Sequence, residues 1–205
     1  NNVKDLLREG GYFYFIVPNM YENAADFIVA DHVNHFSQSS LTWMLERHGF
    51  VDIDIDDTSH IAAFVVKAKA GSARDGNATA VSPQILNETK TKAEALAALW
   101  MGVKTRINDF EGQFDNDHPT AIYGAGIYGN FIYSCLNHPN RISRFIDQNK
   151  FLVGKSIHGV PVAPPTEDVP QGMALFAGLN PKSARRILGS VPAFEGKDLQ
   201  YFFVE

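Results

Sequence analysis

Two stretches of this 205-residue chain bring together residue types that could do chemistry. The first is Asp26-Phe27-Ile28-Val29-Ala30-Asp31-His32-Val33-Asn34-His35-Phe36-Ser37. A histidine held beside a carboxylate can act as a general base near neutral pH, because the carboxylate fixes the tautomer and stabilises the imidazolium. His32 with its neighbour Asp31 is the candidate pair, the alternative being that His32 only bonds the loop backbone. A zinc site is a further reading, since His32 and His35 with Asp31 or Asp26 are suitable ligand types. The stretch offers no cysteine partner and no H-E-x-x-H helix, so no metal is expected.

The second stretch is Gly124-Ala125-Gly126-Ile127-Tyr128-Gly129, which has the spacing G-x-G-x-x-G. Glycine is needed where a chain bends tightly, where backbone approaches a ligand, and where helix and strand lie close. A helix opening at such a turn directs unpaired N–H groups and the positive end of its dipole at any anion above it. Gly124, Gly126 and Gly129 are therefore candidate nucleotide-binding positions. Asp147 ends the next strand, close to where, about 20 residues on, an acidic side chain accepts ribose hydroxyls. The alternative is that the glycines serve only close packing and Asp147 caps the loop 148–150.

The elements that must hold these residues begin with residues 12–17, an aromatic and β-branched run stopped by Pro18-Asn19. That run predicts a strand buried on both faces, as in a parallel sheet, with the histidine stretch beyond its C-terminal end. The chain opens on what reads as the end of a helix, closed by Gly10-Gly11, so it is expected to be a fragment. Ser37 or Ser39 can cap a helix through Arg47, with Leu41, Met44, Leu45 and His48 on one face and Gly49 ending it. Residues 51–56 and 61–68 predict an antiparallel pair at the edge of a mixed sheet.

Gly, Ser, Asn, Asp and Thr dominate residues 71–82, a linker, and a helical pattern then runs over 83–114. The glycine turn sits between a strand at 120–123 and a helix, followed by strands at 142–146 and 176–179 and a helix from Asn180-Pro181 to Leu188. The expected organisation is a first piece over residues 1–70, a linker and connecting helix over 71–116, and a Rossmann-like piece over 117–205. The fold class is α/β.

Hydrophobic residues at 45% and charged residues at 20% describe a folded globular chain rather than a disordered one. A net charge of −5 argues against nucleic acid as partner. No apolar run is long enough to span a bilayer and no signal pattern precedes residues 12–17, so the expected location is cytoplasmic, away from membranes. The one cysteine, Cys135, falls on the apolar face of the helix after the glycine turn, where a buried thiol is expected.

Taken together, Val17-Pro18-Asn19, Asp31-His32 to Phe36-Ser37, Leu41 to Leu45, Gly49-Phe50, Ile122 to Gly126, Phe145-Ile146-Asp147 and Gly154-Lys155 resemble the C-terminal part of a class I S-adenosylmethionine-dependent methyltransferase of the sugar C-methyltransferase type. The resemblance implies a partial methyltransferase sheet, made of its C-terminal strands, joined by a long helix to a small Rossmann-like parallel-sheet domain. It implies that a carboxylate and histidine in the loop remove a proton from a small, nucleotide-linked sugar. That role maps onto Asp31 and His32, and Asp26 also fits the pattern. Asp31 stands where the family carries Glu, Val29 where it carries Tyr, and His35 where it carries a tyrosine-like aromatic. The family's cofactor motif would lie before Asn1, so S-adenosylmethionine belongs to the full-length parent and this piece is expected to be inactive alone. The missing strands would leave a sheet edge open, which makes a homo-oligomer an expectation. The alternative, from a different class, is a non-catalytic nucleotide or nucleotide-sugar binding module using the Gly124 turn.

Overall fold

The short helix α1 (Asn2–Asp5) leads through Gly10, at a left-handed φ of 72°, into β1 (Tyr12–Pro18). These come from a computed structural model that describes residues 2–72, 80–166 and 168–205. After β1 follow a 3₁₀ turn (Ala24–Ile28), α2 (Gln38–Arg47), β2 (Phe50–Asp56) and β3 (Ala63–Ala70). The sheet order is β1-β3-β2 and both pairings are antiparallel. The expected antiparallel pair of β2 and β3 therefore forms, but in a three-stranded, wholly antiparallel sheet with β3 at its centre and not at the edge of a mixed one. Its second strand begins later than expected because Ala62 takes a φ of 64° and Ile61 is left in the exposed turn.

The reading of β1 as a strand buried on both faces of a parallel sheet is wrong. β1 runs antiparallel at one edge, and Tyr12, Tyr14 and Ile16 are 55%, 62% and 51% exposed. Phe13, Phe15 and Val17, on the opposite face by the two-residue period, pack with Leu41, Leu45, Phe50, Phe64 and Val66. An unbroken apolar run signals a strand but does not say whether both of its faces are covered.

Ser37 is the residue that caps α2. Its Oγ accepts the Ser40 N–H at 3.2 Å while Ser40 Oγ accepts the Ser37 N–H at 3.0 Å, a reciprocal capping box with serine in the usual Glu place. Gly49, at φ 72°, ends the helix as expected. Of the expected linker, residues 73–79 lie outside the described residues. The long helix α3 (Pro83–Glu111) follows, slightly shorter than its sequence pattern. The chain divides into two compact units, Asn1–Ala97 and Ala98–Glu205, and the division falls inside this helix.

The second unit contains β4 (Thr120–Tyr123), α4 (Ile127–Cys135), β5 (Ile142–Ile146), β6 (Ser156–Ile157), β7 (Val160–Ala163), β8 (Ala174–Ala177), α5 (Pro181–Gly189) and β9 (Gln200–Phe203). The sheet order is β6-β7-β5-β4-β8-β9, parallel throughout except for the β6–β7 pair. The chain thus moves outward from β4 to one side, then returns to the other side at β8. That is the order of a doubly wound sheet with its switch between β4 and β8. Both faces are covered, with Ile122, Phe145, Phe176 and Phe202 in one apolar layer with α3 and α4, and Ala121, Tyr123, Ile146 and Leu175 in the other with α5.

Glu111, at the end of α3 and 5% exposed, closes the chain beyond α4 by accepting the N–H groups of Asn137 and His138, each at 3.0 Å. Cys135 is buried, as its place on α4 predicted, and burial raises its thiol pKa. No helix among the described residues is long and apolar enough to cross a membrane.

Candidate functional site

The histidine stretch is organised by Asp26, which the 3₁₀ turn after β1 carries into the interior at 0% exposure. Its Oδ1 lies 2.8 Å from His32 Nδ1 and its Oδ2 lies 2.6 Å from His35 Nδ1. One buried carboxylate thus holds two imidazoles, each about a third exposed. A carboxylate facing Nδ1 assigns the ring proton to that nitrogen and leaves Nε2 as the lone-pair atom. The His35 ring also stacks on Phe27, with centroids 4.7 Å apart and planes 4° from parallel.

The pairing of His32 with Asp31 is therefore corrected to His32 with Asp26. The His32 N–H donates to Val29 O and the Val33 N–H to Asp31 O, a tight turn in which the exposed Asp31 and the ring of His32 do not meet. Adjacent residues in irregular backbone seldom point the same way, whereas a turn can bring back a residue six positions earlier. From sequence, Asp26 had entered only as a potential metal ligand and through the family resemblance. The signal that would have found it is a carboxylate at the start of a turn with two downstream histidines. Among the described residues no group of three His, Cys, Asp or Glu side chains is arranged to hold a metal ion.

The loop's ends are fixed as well as its centre. Asn19 and Phe36 form an isolated parallel bridge, and Ser37 begins α2 immediately afterwards. Both ends of the stretch are therefore tied to secondary structure, and Asp26 ties its middle.

The glycine turn has a different character. Gly124 takes a φ of 94°, and a Cβ there would lie 2.3 Å from the Gly178 carbonyl oxygen. At Gly129 a Cβ would lie 1.9 Å from the Gly124 oxygen, and at Gly178 it would lie 2.6 Å from Gly129 Cα. Three backbones are in contact where β4, α4 and the end of β8 converge. Gly126 has open space and caps α4 without a side-chain bond.

Asp147 accepts the Ala125 N–H on Oδ2 at 2.7 Å and the Asn149 N–H on Oδ1 at 2.8 Å. It therefore does engage its own loop, as the packing alternative required, and it holds the glycine turn besides. Beside it, burial raises the Tyr123 hydroxyl pKa, opposed by donation from Gln148 Nε2 at 3.0 Å. Compared with known proteins, the chain matches no family model and no curated sequence.

Proposed function

We propose that this chain is the C-terminal portion of a cytoplasmic S-adenosylmethionine-dependent methyltransferase acting on a small, nucleotide-linked sugar. In this reading His32, oriented by Asp26, takes a proton from the substrate. The observation that carries it is the fully buried Asp26 carboxylate 2.8 Å from Nδ1 of a histidine whose ring is partly exposed. That geometry turns Nε2 into a positioned proton acceptor, and the same carboxylate stabilises the imidazolium once the proton has moved. Asp26 is a positioning residue, and His35, on the other carboxylate oxygen, is a second candidate to donate or accept.

At the Gly124 turn the backbones of Gly124, Gly129 and Gly178 are in contact, and both Asp147 oxygens accept backbone N–H groups. On this proposal the cofactor is held elsewhere in the parent and this chain contributes the proton transfer. In the rival reading, a nucleotide-binding module at the Gly124 turn, a ribose would share the Asp147 oxygens with their backbone donors. A second copy of the chain, or further strands, would pair at the open edge of β1.

The test is turnover in the full-length protein. His32→Ala is expected to lower it by at least ~100-fold with cofactor affinity intact. Asp26→Asn keeps the volume but no longer supplies two carboxylate oxygens, and should lower turnover comparably. Unchanged turnover in His32→Ala would retire the base assignment.

A further inference from the structure

The register of β1 on β3 runs without a shift from Tyr12 opposite Lys69 to Pro18 opposite Ala63. At both ends of the ladder the bonded residues of the first strand are odd-numbered: the Ala70 N–H donates to Gly11 O, and the Asn19 N–H donates to Ala62 O. Bonded pairs in an antiparallel ladder recur every second residue, so Phe13, Phe15 and Val17 also turn their N–H and C=O groups to β3. Tyr12, Tyr14 and Ile16 turn theirs to the opposite edge, where β1 has no strand beside it among the described residues.

That edge has definite ends. The Met20 N–H on the same side already donates to Phe36 O beside the parallel bridge of Asn19 and Phe36, and Pro18 has no N–H to offer. The open length is therefore Tyr12 to Ile16, about 17 Å. It carries none of the devices that keep sheet edges apart, having no charged residue, no bulge and no proline before its end. The side chains of the same three residues are more than half exposed.

We propose that a second copy of this chain pairs along this edge, antiparallel, about a two-fold axis at Tyr14. In that register Tyr12 faces Ile16 of the second copy and Tyr14 faces its own counterpart, so the outward N–H and C=O groups of all three residues find partners. The opposed side chains are then one aromatic pair flanked by two aromatic–β-branched pairs, which are favourable cross-strand combinations. On the other face Phe13 comes opposite Phe15 of the second copy. Both rings are only partly buried against their own core, and the pairing joins the two cores.

Charge does not oppose the contact. Lys67 and Lys69 of the outer face lie on β3, so they stand three strand spacings, about 14 Å, from their counterparts. That exceeds the ~8 Å screening length at physiological salt. A strip this narrow falls short of the ~800 Å2 per partner of a standard interface, so the dimer is weak and follows concentration. The inference goes beyond methyl transfer and its test reads association and not turnover, so either can fail without the other.

Sedimentation velocity of this chain over a wide range of concentration should show a reversible monomer–dimer equilibrium. Tyr14→Lys sets two ammonium groups opposite each other at the axis and should weaken the dimer by at least ~10-fold. Because Tyr14 is exposed, the urea midpoint of dilute Tyr14→Lys protein should match that of its parent. Oxidative cross-linking reads the register, since opposed Cα atoms lie about 5.5 Å apart, within disulfide reach. Tyr14→Cys should cross-link to itself, whereas Tyr12→Cys should cross-link to Ile16→Cys and not to itself; the buried Cys135 takes no part. A chain that stays monomeric at every concentration, a dimer indifferent to Tyr14→Lys, or Tyr12→Cys joining itself in preference to Ile16→Cys would each overturn the assignment.

Discussion

Replacing Gly129 by alanine should destabilise the second unit far more than the same change at Gly126, although both belong to one glycine motif. A Cβ on Gly129 would stand 1.9 Å from the Gly124 carbonyl oxygen, against an ordinary contact of 3.4 Å or more, so α4 and the turn must part by about 1.5 Å. Neither side yields easily. Gly124 is itself against Gly178, and α4 is anchored by the buried Ile132 and Cys135. Forced overpacking of this kind costs about 3 kcal/mol, and the helix propensity of alanine returns about 1 kcal/mol. A net loss of roughly 2 kcal/mol or more is expected. Gly126 has φ −86° and a Cβ placed on it would meet nothing within 4 Å, so its replacement should cost about 1 kcal/mol or less, the difference between glycine and alanine at an N-cap. The assay is urea unfolding followed by tryptophan fluorescence. Trp100 lies in the second unit with its ring 5.0 Å from Phe131 of α4, while Trp43 lies in the first, so a Trp43→Phe background isolates the relevant transition. Linear extrapolation then gives each loss. Equal losses for the two variants, or a Gly129→Ala protein within ~0.5 kcal/mol of its parent, would refute the packing argument.

Two further outcomes follow from ionisation. Burial raises the Cys135 pKa, so native protein at pH 8 should react with iodoacetamide at least ~10-fold more slowly than urea-unfolded protein, and equal rates would contradict its burial. Asp56 is held below its ordinary 3.8, first by the side chain of Ser59 and then by the N–H and hydroxyl of Thr58. A depressed carboxylate stabilises the fold above its unfolded pKa and loses that contribution as pH falls through the folded one. Parent and Asp56→Asn should therefore differ in urea midpoint at neutral pH and converge in acid below the ordinary 3.8, whereas a gap that widens in acid would reverse the sign.

The elements set by local signals were legible in the sequence. The capping serine of α2, the glycine that ends it, the β4–α4 turn and the antiparallel β2–β3 pair each depend on residues a few positions apart. What was not legible depended on partners distant in the chain. The exposed face of β1 is decided by what lies over Tyr12, Tyr14 and Ile16, and no property of those residues reports it. Strand β9 was missed because four residues, Gln200 to Phe203, are too few to show a period, and its pairing with β8 is what makes it a strand. The carboxylate that holds His32 was assigned to its chain neighbour, and only the fold of the 3₁₀ turn reveals that Asp26 takes that place.

Asp26 and Asp147 make the most informative contrast in the molecule, because each carboxylate has two donors and the donors differ in kind. Those of Asp147 are backbone N–H groups at Ala125 and Asn149, so its charge is spent holding the turn and loop beside it. A ribose hydroxyl arriving at the C-terminal end of β5 would share oxygens that already accept bonds of 2.7 and 2.8 Å from backbone amides. The donors of Asp26 are two imidazoles whose remaining nitrogens can exchange protons with whatever lies beyond. A buried negative charge that ends on backbone organises structure, whereas one that ends on imidazoles also fixes how their rings are turned. On the proposed function the chemistry of this chain is expected in the histidine loop, with Asp26 in the place the sequence suggested for Asp31, and the glycine turn, despite its more familiar spacing, is expected to matter first for stability.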